Sequence, residues 1–129
     1  MGSGIIIREA HFPGSAPIDA YGDGGFRFAD MSHRGSILCL PSGIHGWEPA
    51  DAAAFTVEDF ARVVAEADGI DILLIGCGAD LRPLPAGVRA ALREAGIGAE
   101  PMSTGAAVRT YNVLLAEGRR VAAALVAVA

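Results

Sequence analysis

The stretch Glu100-Pro-Met-Ser-Thr-Gly-Ala-Ala-Val-Arg-Thr-Tyr-Asn-Val-Leu-Leu-Ala-Glu-Gly-Arg-Arg-Val-Ala-Ala-Ala-Leu125 decides the fold. It reads as strand end, capped helix, glycine stop and final strand. Ser103 or Thr104 supplies the cap, since a hydroxyl there accepts from the first-turn amides. Ala107, Tyr111 and Leu114 or Leu115 recur at helical spacing and face inward. Gly118 provides the left-handed stop, and residues 120–128 form the last strand. Asn112 is out of place in mid-helix, because its side chain competes for backbone groups. Two roles stay open for it: bonding the backbone of a neighbouring loop, or lining a crevice.

Working upstream, the same alternation continues. Residues 97–102 form a strand preceded by a helix that opens at Pro85, carries Val88, Leu92 and Ala95 on one face, and stops at Gly96. Residues 70–75 are a nearly unbroken apolar run, which marks a strand covered on both faces. Thr56-Val-Glu-Asp59 is a capping-type helix start, followed by Phe60, Val63, Val64 and Ala67 on one side. Before it, residues 5–7, 18–21, 26–28 and 37–40 are strand candidates. Gly22-Asp-Gly-Gly25 supplies hairpin chemistry, and Ile44, His45 and Trp47 sit on one more short extended piece. A β-meander half thus leads into a helix and then β-α-β-α-β. The class is α/β, with helices over a central mixed sheet. Strands 70–75 and 97–102 should be parallel, while the short link Glu117-Gly118-Arg119 leaves the direction of the last strand open.

A chain of 129 residues makes one domain, with the glycine-containing Met1–Gly4 as a flexible start. With 52% hydrophobic and 19% charged residues it is a folded globule rather than a disordered chain. The net charge of −5 argues against nucleic-acid binding, which needs a clustered basic surface. All ten basic residues are arginine. Without lysine, a P-loop lysine, a Schiff base and a lysine general base are all excluded. The N-terminus lacks the features of a secretory signal, and no apolar run reaches a membrane-spanning length. The cytoplasm is the expected place, with Cys39 and Cys77 as buried thiols.

Ligands of open α/β sheets gather at the carboxyl ends of the strands. Two loops should meet there: Gly76-Cys77-Gly78-Ala79-Asp80-Leu81-Arg82 and Ser103-Thr104-Gly105. The first fails the dinucleotide pattern, since the third glycine would fall at Leu81, and Pro83 and Pro85 delay the helix. Its glycines then serve a tight strand exit. Cys77 would need a cation or helix end to become a nucleophile, with Arg82 as the nearest charge in sequence, so a structural thiol is the favoured reading. Ser103 and Thr104 could hold a small anion, or simply cap. Ser42 lacks a nucleophile elbow, and His11, His33 and His45 show no metal-ligand spacing. Trp47 is a core filler by default and a partner hot spot if exposed. No catalytic residue, metal site or cofactor is indicated.

The order Leu40-Pro-Ser-Gly-Ile-His-Gly-Trp47, Ile72-Leu-Leu-Ile-Gly-Cys-Gly78, Met102-Ser-Thr-Gly-Ala-Ala-Val-Arg-Thr-Tyr-Asn-Val-Leu114 and Glu117-Gly-Arg119 resembles a family of small domains of unknown activity. That family includes the mitochondrial respiratory complex I assembly factor 3, the adipogenesis-associated domain protein and uncharacterised bacterial and archaeal proteins. Members often carry Gly-Thr-Gly where this chain has Gly76-Cys77-Gly78, which weakens a catalytic role for Cys77. The resemblance implies a three-layer fold whose last strand runs antiparallel to its neighbours. It implies no catalytic residues and no cofactor, and for the mitochondrial relative a scaffold or chaperone role toward partner proteins. The absence of a mitochondrial targeting segment suits a bacterial protein.

Two functional readings follow. The first is a non-enzymatic protein-interaction domain of the assembly-factor or chaperone kind, with respiratory-complex subunits or assembly factors as partners and homo-oligomers compatible with it. The second is a small-molecule or anion-binding protein, or cryptic enzyme, using a crevice formed by Gly76, Cys77, Gly78, Arg82, Ser103, Thr104 and Asn112.

Overall fold

A computed structural model describes residues 12–129. The strand expected at residues 5–7 and the Met1–Gly4 start lie outside the described residues. Strands β1 (Ile18–Gly22), β2 (Gly25–Phe28) and β3 (Met31–Arg34) form an antiparallel meander. Strands β4 (Ser36–Leu40) and β5 (Gly43–Trp47) form a hairpin that belongs to a second sheet with β6 (Ile72–Gly76), β7 (Gly98–Met102) and β8 (Val121–Leu125). Its strand order is β5-β4-β8-β6-β7. The helices are α1 (Ala61–Ala65), α2 (Ala86–Glu94) and α3 (Thr104–Ala116), with a 3-10 turn at Val57–Phe60 leading into α1.

Local chemistry accounts for the boundaries. Thr56 accepts from the Asp59 amide while the Asp59 carboxylate accepts from the Thr56 amide, completing the expected capping box. Ser103 caps α3 by accepting from Ala106, and Gly96 and Gly118 take positive φ past their helices. Asp23 and Gly24, with φ of 51° and 80°, make the two-residue turn between β1 and β2. The β2–β3 turn does the same with Ala29 and Asp30. Neither is glycine, and β3 itself reads Met-Ser-His-Arg, so this strand carries no strong sequence signal.

The inner strands β4, β8 and β6 of the central sheet are buried on both faces. Leu38, Leu40, Leu73, Ile75, Ala122 and Ala124 pack with Phe55, Phe60, Val63, Val88 and Leu92 on one side. Ile37, Cys39, Leu74, Ala123 and Leu125 pack with α3 and the small sheet on the other. This two-sided burial explains the unbroken apolar runs and gives the three layers. Trp47 joins the first cluster, its ring 5.4 Å from those of Phe55 and Phe60 and its indole N–H donating to the Asp59 carbonyl.

Strands β6 and β7 are parallel, as expected. The last strand is antiparallel to β4, but parallel to β6. The expectation that β8 opposes its neighbours therefore holds on one side only. The reason is geometric: a helix between two strands reverses the chain twice, so the strand after it regains the earlier direction however short the link.

Candidate functional site

The strand ends do bring the two expected loops together. The Cys77 amide donates to the Met102 carbonyl at 2.8 Å, and the Thr104 amide to the Gly78 carbonyl at 2.8 Å. The Thr104 hydroxyl accepts from the Gly78 amide at 3.0 Å and donates to the Val126 carbonyl at 2.7 Å. Thr104 is fully buried. A Cβ on Gly76 would stand 2.9 Å from the Thr104 Cα, so glycine is what allows this approach. The polar groups at this joint are already partnered with one another. Cys77 is buried, its thiol 3.6 Å from the carbonyl oxygens of Ile75 and Arg82, while the Arg82 side chain points to solvent.

Asn112 lies elsewhere, facing β1. Its Oδ1 accepts from the Ile18 amide and its Nδ2 donates to the Ile18 carbonyl, both at 2.9 Å. The side-chain amide thereby imitates a neighbouring peptide and closes the free edge of β1. Tyr111, the residue before it, is buried in the same cluster as the Cys39 thiol.

Burial pushes that thiol from its ordinary 9.0 up to about 12, partly offset by the Tyr111 hydroxyl. Tyr111 is likewise raised, by burial first and then by Cys39. As pH climbs past 9, the unfolded chain loses these protons before the folded one does. Stability is therefore complete below about pH 9 and declines toward pH 12. We expect a melting temperature that is level near neutrality and falls above about pH 9, more gently in Cys39→Ala. A melt that stays level to about pH 11 would contradict this burial.

A cluster missed at the sequence level surrounds the β4–β5 turn. The Ser42 hydroxyl donates to Glu66 Oε2 at 2.6 Å, its amide donates to Glu66 Oε1 at 2.9 Å, and His45 Nε2 lies 2.8 Å from Ser42 Oγ. Glu66 is 24 residues away, and nothing local signals it. The single hydroxyl proton goes to the carboxylate, with His45 Nε2 against the serine oxygen. A nucleophilic triad needs the opposite order, with the imidazole accepting that proton. The arrangement fastens the turn to the end of α1.

Two open cavities lie away from all these residues. One, of about 570 Å³, lies on the small sheet and is lined by residues that include Arg27, Ser32 and Arg34. The other, of about 470 Å³, runs between Val57, Ala61 and Val64 on one side and Ala91 and Ala95 on the other, with Glu58 and Glu94 also lining it. Val57 and Val64 stay substantially exposed there.

Residues 18–126, the span from the first described strand to the end of the core, match the family described as "Protein of unknown function (DUF498/DUF598)". The chain belongs to that family. An uncharacterized protein from Rhodobacter capsulatus is 48% identical over 118 residues, covering 92% of this chain and 90% of its own length. NADH dehydrogenase (ubiquinone) 1 alpha subcomplex assembly factor 3 of Mus musculus is 30% identical over 122 residues, 95% of this chain and 66% of the mouse protein. The chain thus spans just under two thirds of that mammalian relative. The crystal structure of an outer membrane protein from Bartonella henselae superimposes with a TM-score of 0.89 at 61% identity, covering 92% of this chain and all of that one. No helix among the described residues is long and apolar enough to cross a membrane.

Proposed function

We propose that this chain is a non-enzymatic protein-interaction domain that acts as an assembly factor or chaperone for respiratory complex I. The observation that carries the reading is the 30% identity to the mouse assembly factor across 95% of this chain. Internal bonding supports it. Gly76, Cys77, Gly78, Thr104 and Asn112 serve as scaffold, since their polar groups hold loops and strands together, while the exposed valines between the helices remain available to a partner. Its partners are respiratory subunits or other assembly factors, and its place is the bacterial cytoplasm.

The test is affinity capture of the tagged full chain from its own cells, with fractionation of the same lysate. Complex I subunits or assembly factors should be enriched over a tag-only control, and the protein should stay in the soluble fraction. Recovery of no respiratory component would remove the assembly role. Accumulation in an outer-membrane fraction would remove the cytoplasmic one.

A further inference from the structure

The outward face of the three-stranded sheet is built as two rungs. Ala20 pairs with Arg27, which pairs with Ser32; Gly22 pairs with Gly25, which pairs with Arg34. Directly paired residues share a face, and the alternate residues Phe26, Phe28 and His33 are buried on the other side. Each rung therefore sets one arginine beside two small residues. The result is an open basin of about 570 Å³, within the roughly 300–1,000 Å³ common for small-molecule sites. A Cβ on Gly25 would collide with the His33 carbonyl oxygen, so the floor stays low there.

The charge pattern gives the basin its chemistry. Arg27 and Arg34 occupy diagonal positions, for which side-chain origins are roughly 7–8 Å apart. Acidic residues outnumber basic ones by 15 to 10, yet neither arginine forms an ion pair among the described residues. Arg120, by contrast, closes on Asp71 at 2.7 Å. Asp23, the one carboxylate of the lining, sits on the adjoining turn and pairs with neither. Two neighbouring cations repel, and an anion placed between them relieves the repulsion while using both guanidinium forks.

We propose that this basin binds a small anion bearing two or more carboxylate or phosphate groups, held by Arg27 and Arg34 with the Ser32 hydroxyl as a further donor. The site shares no lining residue with the Cys77–Thr104 joint and does not depend on the assembly role.

The experiment is an NMR titration of the full chain with citrate and, separately, with pyrophosphate, at constant ionic strength. Saturable shifts are expected at residues 20–27 and 32–35 and at both arginine Nε–H groups, with a Kd below about 1 mM for at least one anion. The anion that saturates first identifies the source as carboxylate or phosphate. Arg27→Gln and Arg34→Gln should each weaken binding about tenfold, and the double variant should abolish it while keeping the remaining spectrum. Shifts that never saturate, or saturation that survives in the double variant, would overturn the proposal. Binding confined to an octaglutamate peptide, with neither small anion saturating, would overturn it as well.

Discussion

Thr104→Val is expected to lower the melting temperature by on the order of ten degrees. Valine matches threonine in shape, so packing at this fully buried position is retained and only the hydroxyl is lost. That hydroxyl serves two backbone groups, the Gly78 N–H and the Val126 carbonyl. Leaving a buried polar group unpaired costs about 1–3 kcal/mol, and here two are exposed to that cost at once. The joint has little freedom to relax, because Gly76 already stands against the Thr104 backbone. Thr104→Ser is the control: it keeps both bonds and removes one methyl, about 1 kcal/mol. A valine variant that melts with the wild type would show that water or a shifted backbone replaces the hydroxyl, and the joint would lose its structural role.

The sequence made the elements legible where chemistry is local. Thr56 and Asp59 announce a capping box, Gly96 and Gly118 announce helix stops, and the run at 70–75 announces a two-sided strand; all are found. β3 was missed because its turn, Ala29-Asp30, enters the left-handed region without a glycine to mark it. The short link before β8 leaves that strand's direction open; helix reversal sets it parallel to β6, while the antiparallel direction implied by the family resemblance holds against β4.

The site was less legible, for a different reason. Loops at Gly76–Gly78 and Ser103–Thr104 were correctly expected to meet, since topology brings strand ends together. How the loops are joined rests in part on one hydroxyl reaching Val126, a contact across 22 residues. Glu66 reaching Ser42 and Arg34 lying diagonal to Arg27 are likewise set by tertiary register. No spacing rule along the chain encodes such pairs. The absence of lysine did exclude whole classes of chemistry, but exclusion does not name a partner.

Asn112→Ala is the second large effect expected, about 1–3 kcal/mol of stability and a melting temperature lower by several degrees. The side chain spans 94 residues of sequence to hold both the N–H and the C=O of Ile18. Ile18 is itself part of the core beneath α3, and the pairing of β1 with β2 is irregular between Ile18 and Ala20. The ladder is therefore weakest where Asn112 attaches, and the amide substitutes for the missing neighbour strand. Alanine leaves both groups without that partner. Asn112→Asp should be no better than alanine. Its carboxylate accepts from the Ile18 amide but sets an anionic oxygen against the Ile18 carbonyl, where a donor is required. Hydrogen exchange supplies the local readout: the Ile18 amide should exchange faster in both variants, while amides of β6 follow only the global loss. If melting and Ile18 exchange both match the wild type, the clamp contributes nothing. Asn112 would then have to be explained by what binds the protein rather than by what holds it together.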